Sequence, residues 1–411
     1  MKLVMQPFGN QNVGDMISNL LLSGDYNTFD FIVAFAKLKG VMGLKDGISQ
    51  FKDKGGIIRS YVGIDLNGTS FEALINLHAM ADELYVVHVE DSQTFHPKMY
   101  RFKGTQKTAF IIGSNNLTYG GLWKNIETSI FVEGNCNDKD IIALDNEFMD
   151  YINQLKTLGQ SCLQITQSNQ IDDLLNRHYI AKEAESDLRK KVSNGNNLNK
   201  LFGSSIPYKR PLKYGSITTN TAKTNISVSP AFKGITTTPT TNLDYFWIES
   251  RALTGGSRNI LDLSKKSLLE KGNASGTALD MNDSQYIRGA VAFFGLDPMN
   301  EQVQENITIN FLGDDYRDNT ILYPTGARAN GTWRLQLKGI NKNGEEITEK
   351  FSKLANGGYY LPNKILVFYK IDDSYYELSV FDSNTISSFV NCSIILARNG
   401  LSKRSKQIGF Y

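Results

Sequence analysis

The chain has 411 residues, of which 41% are hydrophobic and 21% charged, an ordinary globular composition at a length that predicts two or three domains. This excludes a disordered or fibrous chain, and no apolar run approaches the roughly 18 residues that a membrane span needs. Met1 to Asn10 lacks a basic stretch followed by an apolar core, so no secretory signal is expected. Cys136, Cys162 and Cys392 are widely spaced and odd in number, which fits a reducing cytoplasm better than a disulfide scaffold. The net charge of +2 is unevenly spread. Residues 1–180 hold 15 Lys and Arg against 20 Asp and Glu, a net of −5. The remainder holds 29 against 22, a net of +7, so the second half is the better candidate to meet an anion such as nucleic acid.

The first half alternates strands and helices. Phe29–Ala36 predicts a strand, and Val41–Asp53 a helix stopped by Gly55 and Gly56. Ile57–Ile64 follows as a strand, Phe71–Met80 as a helix and Leu84–Val89 as a strand. Tyr100–Phe102 and Thr108–Ile112 predict a hairpin, Thr128–Val132 another strand, and Ile141–Leu158 and Ile171–Lys182 helices. This is the pattern of an α/β domain with a mixed sheet over residues 1–182. Residues 183–215, with Lys190–Lys191, an Asn-rich stretch, Pro207 and Pro211, read as a linker. Residues 216–411 form the second domain; its Thr-rich start, 216–242, reads as short strands or an ordered loop. From Asp244 the pattern is mostly β: Tyr245–Ile248, Ile307–Leu312, Thr332–Lys338, Ile365–Ile371 and Tyr375–Phe381 predict strands. Only Leu261–Leu269 and Asp283–Phe294 read as helical. Many short strands with few helices predict a barrel or half-open β domain.

The chemistry lies between Phe95 and Glu127. His96 and Lys98 form His-x-Lys, and residues two apart on a strand face the same way, so one pocket receives an imidazole and an ammonium. Asn116 follows in Gly-Ser-Asn-Asn after the Thr108–Ile112 strand, and Glu127 comes eleven residues later. Such a set suits a phosphodiester. A neutral imidazole attacks phosphorus and forms a covalent intermediate. A second, protonated imidazole supplies the leaving group's proton. Lys98 and Asn116 bind the phosphoryl oxygens, and Glu127 orients the imidazole. His-x-Lys alone, or Gly-Ser-Asn-Asn alone, means little; the order and the elements together make accident much less probable.

His96-x-Lys98, then Gly113-Ser114-Asn115-Asn116-Leu117-Thr118 and Glu127, resembles the phospholipase D superfamily motif, and the HPKMY context resembles its nuclease branch. The similarity is to restriction endonucleases of the BfiI and NgoFVII type. The usual superfamily Asp after the Lys is missing, since the chain reads Met99-Tyr100-Arg101-Phe102-Lys103; that weakens a lipase reading more than a nuclease one. The resemblance implies a phospholipase D-like nuclease domain with catalytic His96, Lys98, Asn116, Glu127 and Ser114. It also implies a homodimer through that domain, pairing two copies of His96, because His78, His88 and His178 are not followed by Lys two residues on and read as structural. Phe246–Glu249 with Thr254–Asn259 and Leu261–Ser264 resembles the C-terminal part of the NgoFVII-type enzymes, which implies a DNA-binding pseudobarrel acting on double-stranded DNA. A restriction-type system implies a cognate methyltransferase and leaves room for a separate ATPase or helicase subunit.

No metal or other cofactor is expected: the chain has no Asp/Glu-x-Lys triplet, no zinc spacing and no nucleotide-binding glycine loop. For DNA contact, Arg251 and Arg258 flank Thr254–Ser257, and Arg328 and Arg334 flank Asn330–Gly331. Lys265, Lys266 and Lys338 suit phosphate rather than bases; Trp247 and Trp333 read as core. The expectation is a sequence-specific, metal-independent endonuclease. Two alternatives stay open: a lipid-directed phosphodiesterase, and a DNA-binding protein with a silent nuclease domain.

Overall fold

The structure, a computed structural model, describes residues 1–90, 93–193, 243–253, 258–326 and 330–411. The chain divides into two units, Met1–Tyr214 and Gly215–Tyr411.

The first unit runs β1 (Lys2–Gln6), α1 (Val13–Leu22), β2 (Thr28–Val33), α2 (Leu38–Met42), α3 (Lys45–Asp53), β3 (Ile57–Gly63), α4 (Phe71–Met80), β4 (Glu83–Val87), β5 (Lys98–Lys103), β6 (Lys107–Gly113), β7 (Glu127–Asn135), α5 (Lys139–Lys156), β8 (Cys162–Ile165), α6 (Ser168–Asn176) and α7 (Glu183–Ser193). The strands form one sheet in the order β1-β7-β6-β5-β2-β3-β4-β8. β2, β3 and β4 are parallel, and the remaining pairs are antiparallel, so the sheet is mixed as the alternation predicts.

Period-two alternation sorts the side chains. Phe29, Phe31, Tyr100 and Phe102 are buried on one face, with Phe29 stacked on Phe102 at 4.4 Å. On the other face Ile32, Tyr61, Tyr85 and Phe110 pack with Phe148, Ile152 and Leu155 of α5. Each such side chain stabilises the fold by about 1.5–3 kcal/mol on burial. The same face carries a charge cluster. Arg101 on β5 is paired across the ladder with Asp30 on β2, and its Nε donates to Asp145 Oδ1 of α5 at 2.5 Å. Arg59 lies 3.3 Å from Asp30, and Lys103 donates to Asp145.

Several expectations change. The helix read over Val41–Asp53 is two helices, α2 and α3, meeting at Gly43–Leu44. The helix read over Ile171–Lys182 ends at Asn176, and His178, read as helical, takes φ 63°. A helix occupies Glu183–Ser193, inside the stretch read as linker, because Glu183 is bound into this unit: its Oε2 accepts from Leu38 N and Ser70 Oγ, each at 2.6 Å. Residues 194–242, with the rest of the linker and the Thr-rich stretch, lie outside the described residues.

The second unit runs β9 (Tyr245–Glu249), β10 (Ile260–Leu263), β11 (Lys266–Lys271), β12 (Tyr286–Arg288), β13 (Glu305–Phe311), β14 (Asp314–Leu322), β15 (Trp333–Gln336), α8 (Ile347–Leu354), β16 (Lys364–Asp372), β17 (Tyr375–Asp382), α9 (Ile386–Cys392), β18 (Ile395–Arg398) and β19 (Gln407–Phe410). It is mostly β. Among the described residues eleven strands form one sheet in the order β10-β15-β14-β13-β17-β16-β9-β19-β18-β11-β12. β10 lies at one end and β11 next to the other, yet only Ser264 and Lys265 join them. The sheet must therefore curl until its ends lie side by side, enclosing an aromatic core around Phe246, Phe293, Phe294 and Phe368.

Two helical readings fail here. Leu261–Leu269 is β10 and β11: Leu261 and Leu263 alternate inward, a period of two that outweighs the leucine spacing across the segment. Asp283–Phe294 is β12 followed by a short 3-10 helix, Ala290–Phe294, whose five residues are all buried. Trp247 and Trp333 are core, with indole N–H groups donating to Ser393 Oγ and Pro298 O.

Candidate active site and candidate DNA-contact residues

The sheet order brings the N-terminal ends of β5 and β7 and the C-terminal ends of β2 and β6 to one rim, and the predicted residues sit there. Lys98 opens β5 opposite Val33, the last residue of β2. Pro97 O accepts from Ala34 N at 2.8 Å, which fixes the entry to the strand. His96 is exposed and Lys98 buried, and the two side chains meet, with Lys98 Nζ 2.8 Å from His96 Nδ1 and 2.7 Å from His96 O. Phe35 packs edge-on to the imidazole, ring centroids 5.6 Å apart.

Ser114 follows β6 and Glu127 opens β7. Ser114 Oγ donates to Glu127 Oε2, and Asn125 Nδ2 donates to Glu127 Oε1 at 3.3 Å. β6 can approach β7 this closely because residue 113 is glycine: a Cβ there would lie 2.1 Å from Ser129 Oγ. Asn116 Oδ1 accepts from Phe35 N at 3.1 Å, which turns the amide so that Nδ2 is its donor end. Its neighbour Asn115 is buried and braces the loop through Gly121 O, Ser129 Oγ and Tyr100 Oη.

Burial pushes the Lys98 ammonium below the usual lysine range, opposed by the negative charge of Glu127. Burial, and then Glu127, raise the Tyr100 phenol. Glu127 thus acts on Lys98 through space. The orienting contact expected from Glu127 to the imidazole is instead made by Lys98, while Glu127 holds Ser114 and Asn125.

A Lys98 that must be cationic to bind a phosphoryl oxygen has a pH consequence. Its charge is complete at low pH and lost as pH rises through a pKa lowered from 10.5. kcat/KM for phosphodiester cleavage should therefore fall on an alkaline limb that begins below pH 10.5. The limb should vanish in the residual activity of Lys98→Arg, whose guanidinium stays charged. An unchanged limb in that variant would remove Lys98 as its source.

Asp65 belongs to no motif in the sequence, and His88, read there as structural, is bound to it. Asp65, just after β3, is buried; its Oδ1 lies 2.5 Å from His88 Nδ1, and its Oδ2 accepts from Phe95 N at 2.7 Å. Nothing local signals this, because the two residues are 23 positions apart.

In the second unit the candidate cations are variously engaged. Arg251, at φ 52°, donates to Arg404 O and Ser405 O and pairs with Glu249 at 2.6 Å, so it braces the loop before β19. Arg258 lies over the Tyr359 ring, 3.5 Å from its centroid. Arg334 Nε is 3.6 Å from Asp262 Oδ1. Lys265 pairs with Glu301 and faces the Tyr323 ring; Lys266 faces the Tyr286 ring at 4.1 Å. Lys338 is exposed. Arg328, with Thr254–Ser257, lies outside the described residues.

Among the described residues the first unit is a mixed α/β domain with a histidine–lysine pair on the sheet's rim, and no helix is long and apolar enough to cross a membrane. No family model and no curated protein matches the chain. Solved structures similar to part of it include Nuc from Salmonella typhimurium, a phospholipase D family member, at 14% identity and TM-score 0.31, over 40% of this chain and 97% of that one. NucT from Helicobacter pylori is similar at 13% identity and TM-score 0.28, over 40% and 98%. Phosphatidylserine synthase from Haemophilus influenzae is similar at 12% identity and TM-score 0.31, over 46% of each chain.

Proposed function

We propose that this chain is a DNA phosphodiesterase, a sequence-specific endonuclease of the restriction type that works through a covalent phosphohistidine without a metal ion. The observation that carries it is the contact of His96 with the buried Lys98, on the rim that also holds Ser114, Asn116 and Glu127. His96 attacks phosphorus and the bond from phosphorus to the leaving oxygen breaks, that oxygen taking a proton from a second imidazole. Water, giving a proton to that second imidazole, then attacks phosphorus, and the bond from phosphorus to His96 breaks, which restores both imidazoles. The phosphate draws Lys98 Nζ off Nδ1, and Lys98 with the Asn116 amide balances the charge on the phosphoryl oxygens.

The second imidazole is His96 of another copy, which makes the active species a homodimer. One His-x-Lys per chain supports this. The basic second half supports DNA as substrate and target recognition by that unit, with Arg258 and Arg334 as base readers and Lys265, Lys266 and Lys338 on phosphates. A cognate methyltransferase, and an ATPase subunit if one exists, belong to the same reading, as does a cytoplasmic site of action.

The test is cleavage of mixed plasmid DNA in EDTA over a range of protein concentrations. Discrete fragments in chelator, with activity per chain falling on dilution, are expected. Activity lost in EDTA and restored by Mg²⁺ would overturn the chemistry, and dilution-independent activity of a sedimentation-verified monomer would overturn the shared site.

A further inference from the structure

The loop after β3 stands outside the His-x-Lys motif, yet it touches the surroundings of His96 at two points. Asp65 takes the backbone N–H of Phe95, the residue before His96, on one carboxylate oxygen and meets His88 on the other. His88 is in turn held by Ser161 O on its backbone N–H; its ring packs on Tyr179, and its Nε2 lies 3.8 Å from Glu90. The two residues after Asp65, Leu66 and Asn67, both adopt the left-handed region, at φ 55° and 52°. Neither is glycine, and Leu66 is 79% exposed, so burial of its side chain does not compensate the strain. What the turn achieves is the seat of Gly68. A Cβ there would lie 2.0 Å from the Phe35 ring, the ring that packs edge-on to His96. The loop is tied to the same segment through Lys37 Nζ to Asn67 O and through Thr69 Oγ1, which accepts from Ala36 N.

We propose that the strained Asp65–Gly68 loop, with His88 behind it, is a positioning device for the His96 imidazole. Asp65 fixes where the backbone enters His96, and Gly68 lets Phe35 set the tilt of the ring. Neither group touches the substrate. The proposal deepens the phosphodiesterase reading, and the loss it predicts is one of geometry: a displacement of about 1 Å in a reacting group costs on the order of 10²-fold in rate.

The experiment uses the full chain with Asp65→Asn, His88→Gln and Gly68→Ala. One arm is hydrolysis of bis(4-nitrophenyl) phosphate; the other is histidine-ring NMR, with the His96 resonances assigned through His96→Gln. In variants that keep the wild-type melting temperature, kcat should fall by about 10²-fold with KM nearly unchanged, and the His96 ring signals should shift. Should Asp65→Asn fail to fold, Gly68→Ala carries the same comparison. Folded variants with wild-type kcat and wild-type His96 signals would overturn the proposal. A wild-type chain that cleaves no phosphodiester, while its variants still shift the His96 signals, would overturn the phosphodiesterase reading and leave the positioning role standing.

Discussion

Replacing His96 with alanine is expected to lower phosphodiester cleavage by roughly three to six orders of magnitude and leave the fold intact. The imidazole is exposed and buries little, so its loss costs little stability, and the hydrogen bond it forfeits is to Lys98. Catalysis is another matter. Lys98 and Asn116 can hold a phosphate, but neither they nor the hydrogen-bonded Ser114 and Glu127 form the covalent intermediate under the proposed mechanism. Specific DNA affinity should barely change, since base readout is assigned to the second unit. Arg258→Ala should do the reverse, weakening specific binding by about 1–3 kcal/mol and sparing saturated cleavage. Gel-shift titration beside single-turnover cleavage separates the two. If His96→Ala abolished specific binding, or Arg258→Ala slowed saturated cleavage as severely as His96→Ala, the division of labour would be wrong.

Arg101→Ala should destabilise the first unit by about 3–5 kcal/mol, because it leaves Asp30 and Asp145 without the cation that joins them. In a domain of this size that is a fall in melting temperature of roughly 6–20 °C. The two carboxylates are not equivalent. Burial pushes Asp30 up against the pull of Arg101 and Arg59, whereas the hydrogen bonds from Arg101 and Lys103 outweigh burial and hold Asp145 down. Without Arg101, Asp30 rises further. A carboxylate whose folded pKa exceeds its unfolded value loses stability as pH climbs through that interval. The deficit should therefore be larger at pH 8 than at pH 5. Arg101→Leu combined with Asp30→Asn and Asp145→Asn should recover much of the loss. Thermal unfolding at both pH values decides it; a single variant as stable as the parent, or a deficit that is larger at pH 5, would exclude this account.

Much of the first unit was legible from local pattern. Phe29–Ala36, Ile57–Ile64 and Leu84–Val89 read as strands because buried strands are short apolar runs, and the structure places strands there. His-x-Lys, read as two residues on one face of a strand, implied that one pocket receives an imidazole and an ammonium; His96 instead precedes β5, which begins at Lys98, and still Nδ1 and Nζ lie 2.8 Å apart. The pairing of Ser114 with Glu127 was not legible. It depends on the close antiparallel pairing of β6 and β7 at Gly113 and Ser129, and that approach is set by the sheet, not by the spacing of the motif. Leu261–Leu269 misled because a leucine spacing fits a helix and a strand alike; neighbouring strands chose between them.

What the sequence by itself determined is the chemistry available: one His-x-Lys, a Gly-Ser-Asn-Asn turn after a strand, a Glu beyond it, and a basic second half. These follow from residue identity and from periods of two and 3.6, both of which are local. Only the tertiary structure decided which partner each group takes. Lys98 rather than Glu127 meets His96 Nδ1, Asp65 reaches Phe95 and His88 from another strand's end, and Arg101 joins two carboxylates 115 residues apart in sequence. The reason is physical. A buried polar group must find its partner wherever the sheet order and the packing of α5 bring one within hydrogen-bonding distance, and that order is a property of the whole fold.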